Sequence, residues 1–131
     1  MRVLIDTSAV IALLLNEDLN RSIVGMTQGA DVVSASSLPW EVGNALVANI
    51  RKNRINPDQA SEANSNFQRM GIRLFDVDLG ESISLASKLN IYAYDAFMLC
   101  CASNLKLPML TLDYQMVKNA ATIGVKTLEV K

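Results

Sequence analysis

Four acidic residues stand where the surrounding sequence predicts a core edge. Asp6 closes the apolar run Val3-Leu4-Ile5, and Asp113 closes Met109-Leu110-Thr111-Leu112. Glu41 and Asp95 fall in the first turns of two expected helices, ahead of Val42-Gly43-Asn44-Ala45-Leu46 and Ala96-Phe97-Met98-Leu99, which read as buried faces. A carboxylate in such a place needs a cation, a proton or hydrogen-bond donors. No Lys or Arg adjoins any of the four in sequence. Each of Asp6, Asp95 and Asp113 taken alone could be a helix cap. If instead the four meet, an all-oxygen ligand set without imidazole or thiolate selects hard cations, Mg2+ or Mn2+. Two such ions about 4 Å apart can activate a water and steady the leaving oxygen of an in-line displacement at phosphorus. Phosphodiester hydrolysis is therefore the leading chemistry.

Composition removes most alternatives. The chain has no histidine, which excludes Ser-His-Asp catalysis and the usual zinc ligands. Twelve Lys and Arg against thirteen Asp and Glu leave a net charge of -1, so contact with a nucleic acid must come from a local patch or from metal ions. Cys100 and Cys101 are adjacent, too cramped for an ordinary disulfide, and predict a reducing, cytoplasmic setting. Arg2 before an apolar stretch superficially suggests an export signal, but Asp6 interrupts it. The longest apolar run, 9–15, is also too short for a membrane span.

The elements that must position the acids follow from periodicity and caps. Strands are expected at 3–5, 32–33, 73–77, 109–112 and 126–130. Helices are expected at 8–15 with Thr7 or Ser8 as cap, at 19–28 after an Asn16-Glu17-Asp18 break, and at 39–51 capped by Ser36 or Ser37. Further helices are expected at 58–70, 80–89, 94–105 and 113–121. The alternation predicts α/β, a three-layer α/β/α arrangement with a central parallel sheet of four to five strands, in one domain over 1–131. In such sheets ligands gather beyond the carboxyl ends of the strands, where Asp6 and Asp113 lie.

The segments Val3-Leu4-Ile5-Asp6-Thr7-Ser8-Ala9, Glu41-Val42-Gly43-Asn44-Ala45-Leu46, Tyr94-Asp95-Ala96-Phe97-Met98-Leu99 and Leu110-Thr111-Leu112-Asp113, in this order, resemble those of PIN-domain nucleases, close to the VapC-like toxins of toxin-antitoxin pairs. The resemblance spans nearly the whole chain. It implies that Asp6, Glu41, Asp95 and Asp113 are the catalytic, metal-binding quartet. It also implies that Ser8 supports the metal site or a phosphate, and that Thr111 is a supporting hydrogen bonder. It further implies cleavage of RNA with Mg2+ or Mn2+, a homodimer, and a small antitoxin whose C-terminal segment covers the active-site groove.

Other features admit two readings. Arg51, Lys52 and Arg54 form the one dense basic cluster, either a solvated helix end or a phosphate track for RNA. Trp40, Tyr92, Tyr94 and Phe97 could stack bases, although packing in the core or at an interface is preferred, above all for Phe97. The six methionines look like core fillers. The apolar helix at 8–15 and its neighbour suggest a dimer or antitoxin surface. The rival functions are a PIN-domain RNase of RNA processing without an antitoxin, a phosphatase-like α/β domain with Asp6 as nucleophile, and a non-catalytic binding module.

Overall fold

A computed structural model describes residues 1–130, apart from the side chain of Glu17. Strands β1 (Arg2–Ile5), β2 (Asp31–Ala35), β3 (Arg73–Phe75), β4 (Met109–Leu110) and β5 (Thr127–Leu128) form one sheet in the order β3-β2-β1-β4-β5, all neighbours parallel. The central place of β1 follows from its sequence. Val3, Leu4 and Ile5 are all fully buried, as a strand covered on both faces requires. The flanking strand β3 carries Arg73 and Leu74 exposed.

Parallel neighbours need crossovers, and the helices supply them. They are α1 (Thr7–Leu15), α2 (Glu17–Thr27), α3 (Leu38–Arg51), α4 (Pro57–Arg69), α5 (Leu79–Leu89), α6 (Ala93–Leu105) and α7 (Tyr114–Thr122). Helix α1 packs with α2, α3 and α4, while α5 lies on α6 and α6 crosses β1 and β2. The expected three-layer α/β/α architecture is what forms. Met98, Met109 and Met116 fill the core as expected, and Cys100 and Cys101 are buried and unbridged. Among the described residues no helix is long and apolar enough to cross a membrane.

Several local expectations are corrected. The break between α1 and α2 is one residue, not three. Asn16 is C-cap of the first helix and N-cap of the second, and its side chain accepts from the backbone N–H groups of Asp18 and Leu19 at 3.1 and 3.2 Å. The cap of α1 is neither Thr7 nor Ser8 but Asp6, whose Oδ1 accepts from Ala9 N. Strands β3, β4 and β5 are shorter than periodicity predicts. At β4 the cause is visible: beyond Leu110 the backbone N–H groups of Leu112 and Asp113 donate to the hydroxyls of Ser8 and Thr111 instead of to a strand.

Ile11, Leu13, Leu14 and Leu15 are only partly buried. With Val24, Met70 and Ile72 from the neighbouring segments, Leu13 and Leu14 line an apolar cleft of about 420 Å³. The junction at Asn16 fixes the angle at which α2 leaves this cleft. Replacing Asn16 with Ala removes both cap bonds and is expected to lower the unfolding free energy by about 1 kcal/mol, read by chemical denaturation. An unchanged midpoint would show that the junction is held by packing alone.

Candidate functional site

Asp6 begins the site because β1 ends there and the chain turns into α1. Its carboxylate is 3% exposed, yet it is fully engaged. Oδ1 accepts from Ser8 Oγ at 2.7 Å and from Ala9 N at 3.1 Å, and Oδ2 accepts from Thr111 Oγ1 at 2.5 Å. Each hydroxyl has a single proton. When Asp6 is ionised both protons point at it, so the 3.3 Å approach of Ser8 Oγ to Thr111 Oγ1 carries none. Thr111 in turn accepts from Asp113 N at 3.0 Å, and Ser8 accepts from Leu112 N at 2.9 Å. The two hydroxyls thus bind the end of β1 to the segment after β4.

Glu41, the fourth residue of α3, is anchored in the same manner. Its Oε1 accepts from Thr7 Oγ1 at 3.0 Å and its Oε2 from Ser37 Oγ at 2.7 Å. Ser37 was expected to cap α3. It occupies the cap position but makes no cap bond to the backbone, because its hydroxyl is turned onto Glu41. Thr7 and Ser37 are the supporting residues that sequence reasoning missed. The signal present was the spacing of Ser37 and Glu41, four apart across a helix start.

Asp95 is not a cap; it is the third residue of α6, half-buried, and among the described residues no hydrogen bond to its carboxylate is made. Asp113 is exposed and does cap its helix, with Oδ1 accepting from Gln115 N at 2.9 Å and Met116 N at 3.2 Å. All four acids therefore lie at or within one turn of a helix N-terminus, where the positive end of the helix dipole offsets part of their charge.

The electrostatics connect them. Burial raises the pKa of Asp6 against the lowering effect of Thr111, Ser8 and the Ala9 N–H, and the charge of Asp113 raises it further. Burial pushes Glu41 up to about 7 despite its two hydroxyl donors, and the charges of Asp95 and Asp6 add to the rise. Burial and then the charge of Asp113 raise Asp95. Asp6, Glu41 and Asp95 thus each feel at least one other acid. No basic side chain answers them, since the ion pairs among the described residues join Arg2 and Arg73 to Asp31 at the N-terminal ends of their strands.

Among the described residues no three acids stand close enough together to form a preformed cage for a metal ion. The donor set still suits a hard divalent cation. Mg2+ keeps several waters and uses one or two carboxylates, so a ring of acids wider than a cage is compatible with it. Zinc and copper are poorly served by oxygen donors alone.

The basic cluster is not brought to these acids. Arg51, Lys52 and Arg54 are exposed at the C-terminal end of α3, about 15 Å along the helix axis from Glu41. Core packing within the chain holds for half-buried Phe97 and fails for Trp40, Tyr92 and Tyr94, which are exposed.

The family model described as PIN domain matches residues 3–121. Solved structures with a similar fold include PAE2754 from Pyrobaculum aerophilum, 21% identical with a TM-score of 0.72, the match covering 97% of this chain and 83% of that one. FitAcB from Neisseria gonorrhoeae is 16% identical with a TM-score of 0.69, covering 97% of this chain and 96% of that one. A toxin-antitoxin complex from Klebsiella pneumoniae contains a chain 15% identical, with a TM-score of 0.58 and 98% of each chain covered. No curated protein matches the chain.

The raised acid pKa values make a prediction whose sign is fixed by linkage. An acid whose pKa is higher in the folded state favours folding when protonated, so its contribution is present below the unfolded value and is lost as pH rises through the folded one. For Glu41 that window runs from 4.5 to about 7, and Asp6 and Asp95 act in the same direction. The thermal midpoint of the metal-free protein is expected to fall across this window, and Glu41→Gln to flatten the fall. A midpoint that climbs or stays level in the wild type contradicts the raised pKa values of these buried acids.

Proposed function

Since the chain belongs to the PIN-domain family, we propose that it is a metal-dependent endoribonuclease, the toxin of a toxin-antitoxin pair. The observation that carries this reading is that Asp6, Glu41, Asp95 and Asp113 all stand at helix N-termini on the carboxyl edge of the sheet, with none of them in an ion pair among the described residues. These four are the proposed catalytic and metal-holding residues, with Mg2+ or Mn2+ as the cation. The Klebsiella pneumoniae neighbour, described as a toxin-antitoxin complex, supports the pairing with a small antitoxin. The apolar cleft between α1 and its neighbours suits an apolar segment of that partner. Leu79 and Ile83, one turn apart on α5 and both more than half exposed, suit a second copy of the chain. Two buried, unbridged cysteines accord with a reducing cytoplasm.

In this mechanism Asp6 is a fixed anchor. Its rotamer is set by Ser8 and Thr111, so its remaining lone pairs face one direction. Asp95, with no hydrogen bond of its own to satisfy it, has the carboxylate most available to a ligand. Glu41 is held at both oxygens by Thr7 and Ser37. Burial pushes its pKa up to about 7, and a bound cation would favour its ionised form. When bound, a divalent cation supplies a Lewis acid for the phosphoryl oxygens and a water of lowered pKa. The carboxylates hold and orient. They need not shuttle protons.

Asp6→Asn and Asp95→Asn are expected to leave a folded chain whose RNA cleavage with Mg2+ or Mn2+ falls on the order of a hundredfold or more. Thr111→Val, which keeps the shape but loses the donor to Asp6, is expected to cost about tenfold to a hundredfold. Wild-type cleavage rates in purified Asp6→Asn or Asp95→Asn would remove the assignment.

A further inference from the structure

The basic residues at the end of α3 have no work to do inside the chain. The last carbonyls of the helix are taken by backbone donors: Lys52 N donates to Ala48 O at 3.1 Å, Asn53 N to Ile50 O at 3.0 Å and Arg54 N to Asn49 O at 3.0 Å. The side chains of Arg51, Lys52 and Arg54 are therefore not needed as caps. All three are exposed, and among the described residues none of them makes an ion pair or a side-chain hydrogen bond. The helix dipole accounts for Arg51, the one basic residue in the last turn, but its influence fades beyond that turn, where Lys52 and Arg54 lie. The acids on the neighbouring helix, Asp58 and Glu62, leave the cluster unpaired, although Glu62 shares a polar cleft with Arg54.

One face of α3 joins this cluster to the acids. Trp40, Gly43, Asn44, Val47 and Arg51 are all exposed, and their spacing of three, four, seven and eleven from Trp40 puts them on one side of the helix. Nothing lies within 4 Å of where a Cβ on Gly43 would stand, so the middle of this face is open. Glu41 adjoins Trp40 at one end, and Arg51 closes the other, about 15 Å along the axis. A stacked nucleic-acid strand advances roughly 3.4 Å per nucleotide, so the face is about four nucleotides long, fewer if the strand is drawn out. Charge favours such an occupant. A divalent cation offsets the phosphate at the acids, but the next phosphates of the same strand still need a positive partner, and Arg2 and Arg73 are committed to Asp31.

We infer that the exposed face of α3 is a track for an RNA backbone, on which Arg51, Lys52 and Arg54 hold phosphates about four nucleotides from the bond that is cut. Phosphates carry no sequence information, so the track sets the length and register of the substrate rather than the choice of base. This deepens the nuclease reading and rests on it for the cleavage arm of the test. The binding arm stands by itself.

In the binding arm the full chain, with chelator present to stop cleavage, is titrated at several salt concentrations with an unstructured oligoribonucleotide of about twelve nucleotides. The triple variant Arg51→Gln, Lys52→Gln, Arg54→Gln is expected to flatten the slope of log affinity against log salt by about two, since each phosphate contact on a single strand contributes about 0.7. Arg51→Lys with Arg54→Lys is expected to keep the slope. In the cleavage arm, with Mg2+, the wild type is expected to prefer the long strand to one of about three nucleotides, and the triple variant to lose about tenfold of that preference in kcat/KM, through KM. A long strand whose outer linkages are uncharged methylphosphonates is expected to behave as the short one does. An unchanged salt slope, or equal losses on long and short strands, overturns the track. So does a triple variant that sediments at lower mass with its preference for length intact, which would make this face a contact between copies. A salt slope that depends on the cluster in a wild type that cuts neither strand supports the track and sinks the nuclease reading instead.

Discussion

Buried negative charge is the constraint around which this molecule is organised. Four carboxylates stand at the carboxyl edge of a parallel sheet, three of them at least partly buried, and among the described residues no lysine or arginine forms an ion pair with any of them. A cluster of that kind opposes folding in proportion to how completely it ionises. What holds it is a set of hydroxyls. Ser8 and Thr111 donate to Asp6, and Thr7 and Ser37 donate to Glu41. Hydroxyls stabilise the ionised form without neutralising it, whereas a basic residue would cancel the charge and occupy the place a cation requires. The site therefore keeps its negative field at some cost to stability.

Topology makes the convergence possible. In a parallel sheet every strand ends on the same edge, so Asp6 after β1 and Asp113 beyond β4 are neighbours although they are far apart in sequence. The helices that follow begin on that edge too, and their dipoles present positive ends to it. Asp6 and Asp113 exploit this directly as caps. Glu41 and Asp95 reach it from the first turns of α3 and α6, the latter crossing both β1 and β2. One geometric fact, the polarity of a parallel sheet with its crossover helices, places all four.

Much of this was legible in the chain because it rests on local patterning. The wholly apolar Val3-Leu4-Ile5 predicts a central strand, and the helix positions follow from periodicity and cap residues to within a few positions. The four acids stood out because each interrupts or heads an apolar run. What could not be read is where side chains turn once the elements meet. Ser37 has the sequence appearance of a cap, and only the arrival of Glu41 one turn later explains why its hydroxyl leaves the backbone. Periodicity extends β4 through Leu112, but the ladder stops at Leu110 because hydroxyls from two segments capture the next N–H groups. Exposure of Trp40 and Tyr92 was equally hidden, since an aromatic beside an apolar run reads as core until a neighbour fails to cover it.

These departures from local rules share a direction. An unused cap at Ser37 gives up a bond typically worth about 1 kcal/mol, and a strand cut short at Leu110 gives up ladder bonds, yet the Ser37 hydroxyl serves Glu41 directly and the freed N–H groups donate to the two hydroxyls that hold Asp6. Had core stability been the only requirement, Asp6 would be better as a neutral residue of the same size and Glu41 as an apolar one. Sequences consistent at every level except one place usually break their own rules at the functional site. Here the breaks and the raised acid pKa values fall on the same edge of the sheet. A purely structural role for the acids accounts for the caps at Asp6 and Asp113 but leaves Glu41, held by two hydroxyls, and Asp95, held by none, without a reason to be there.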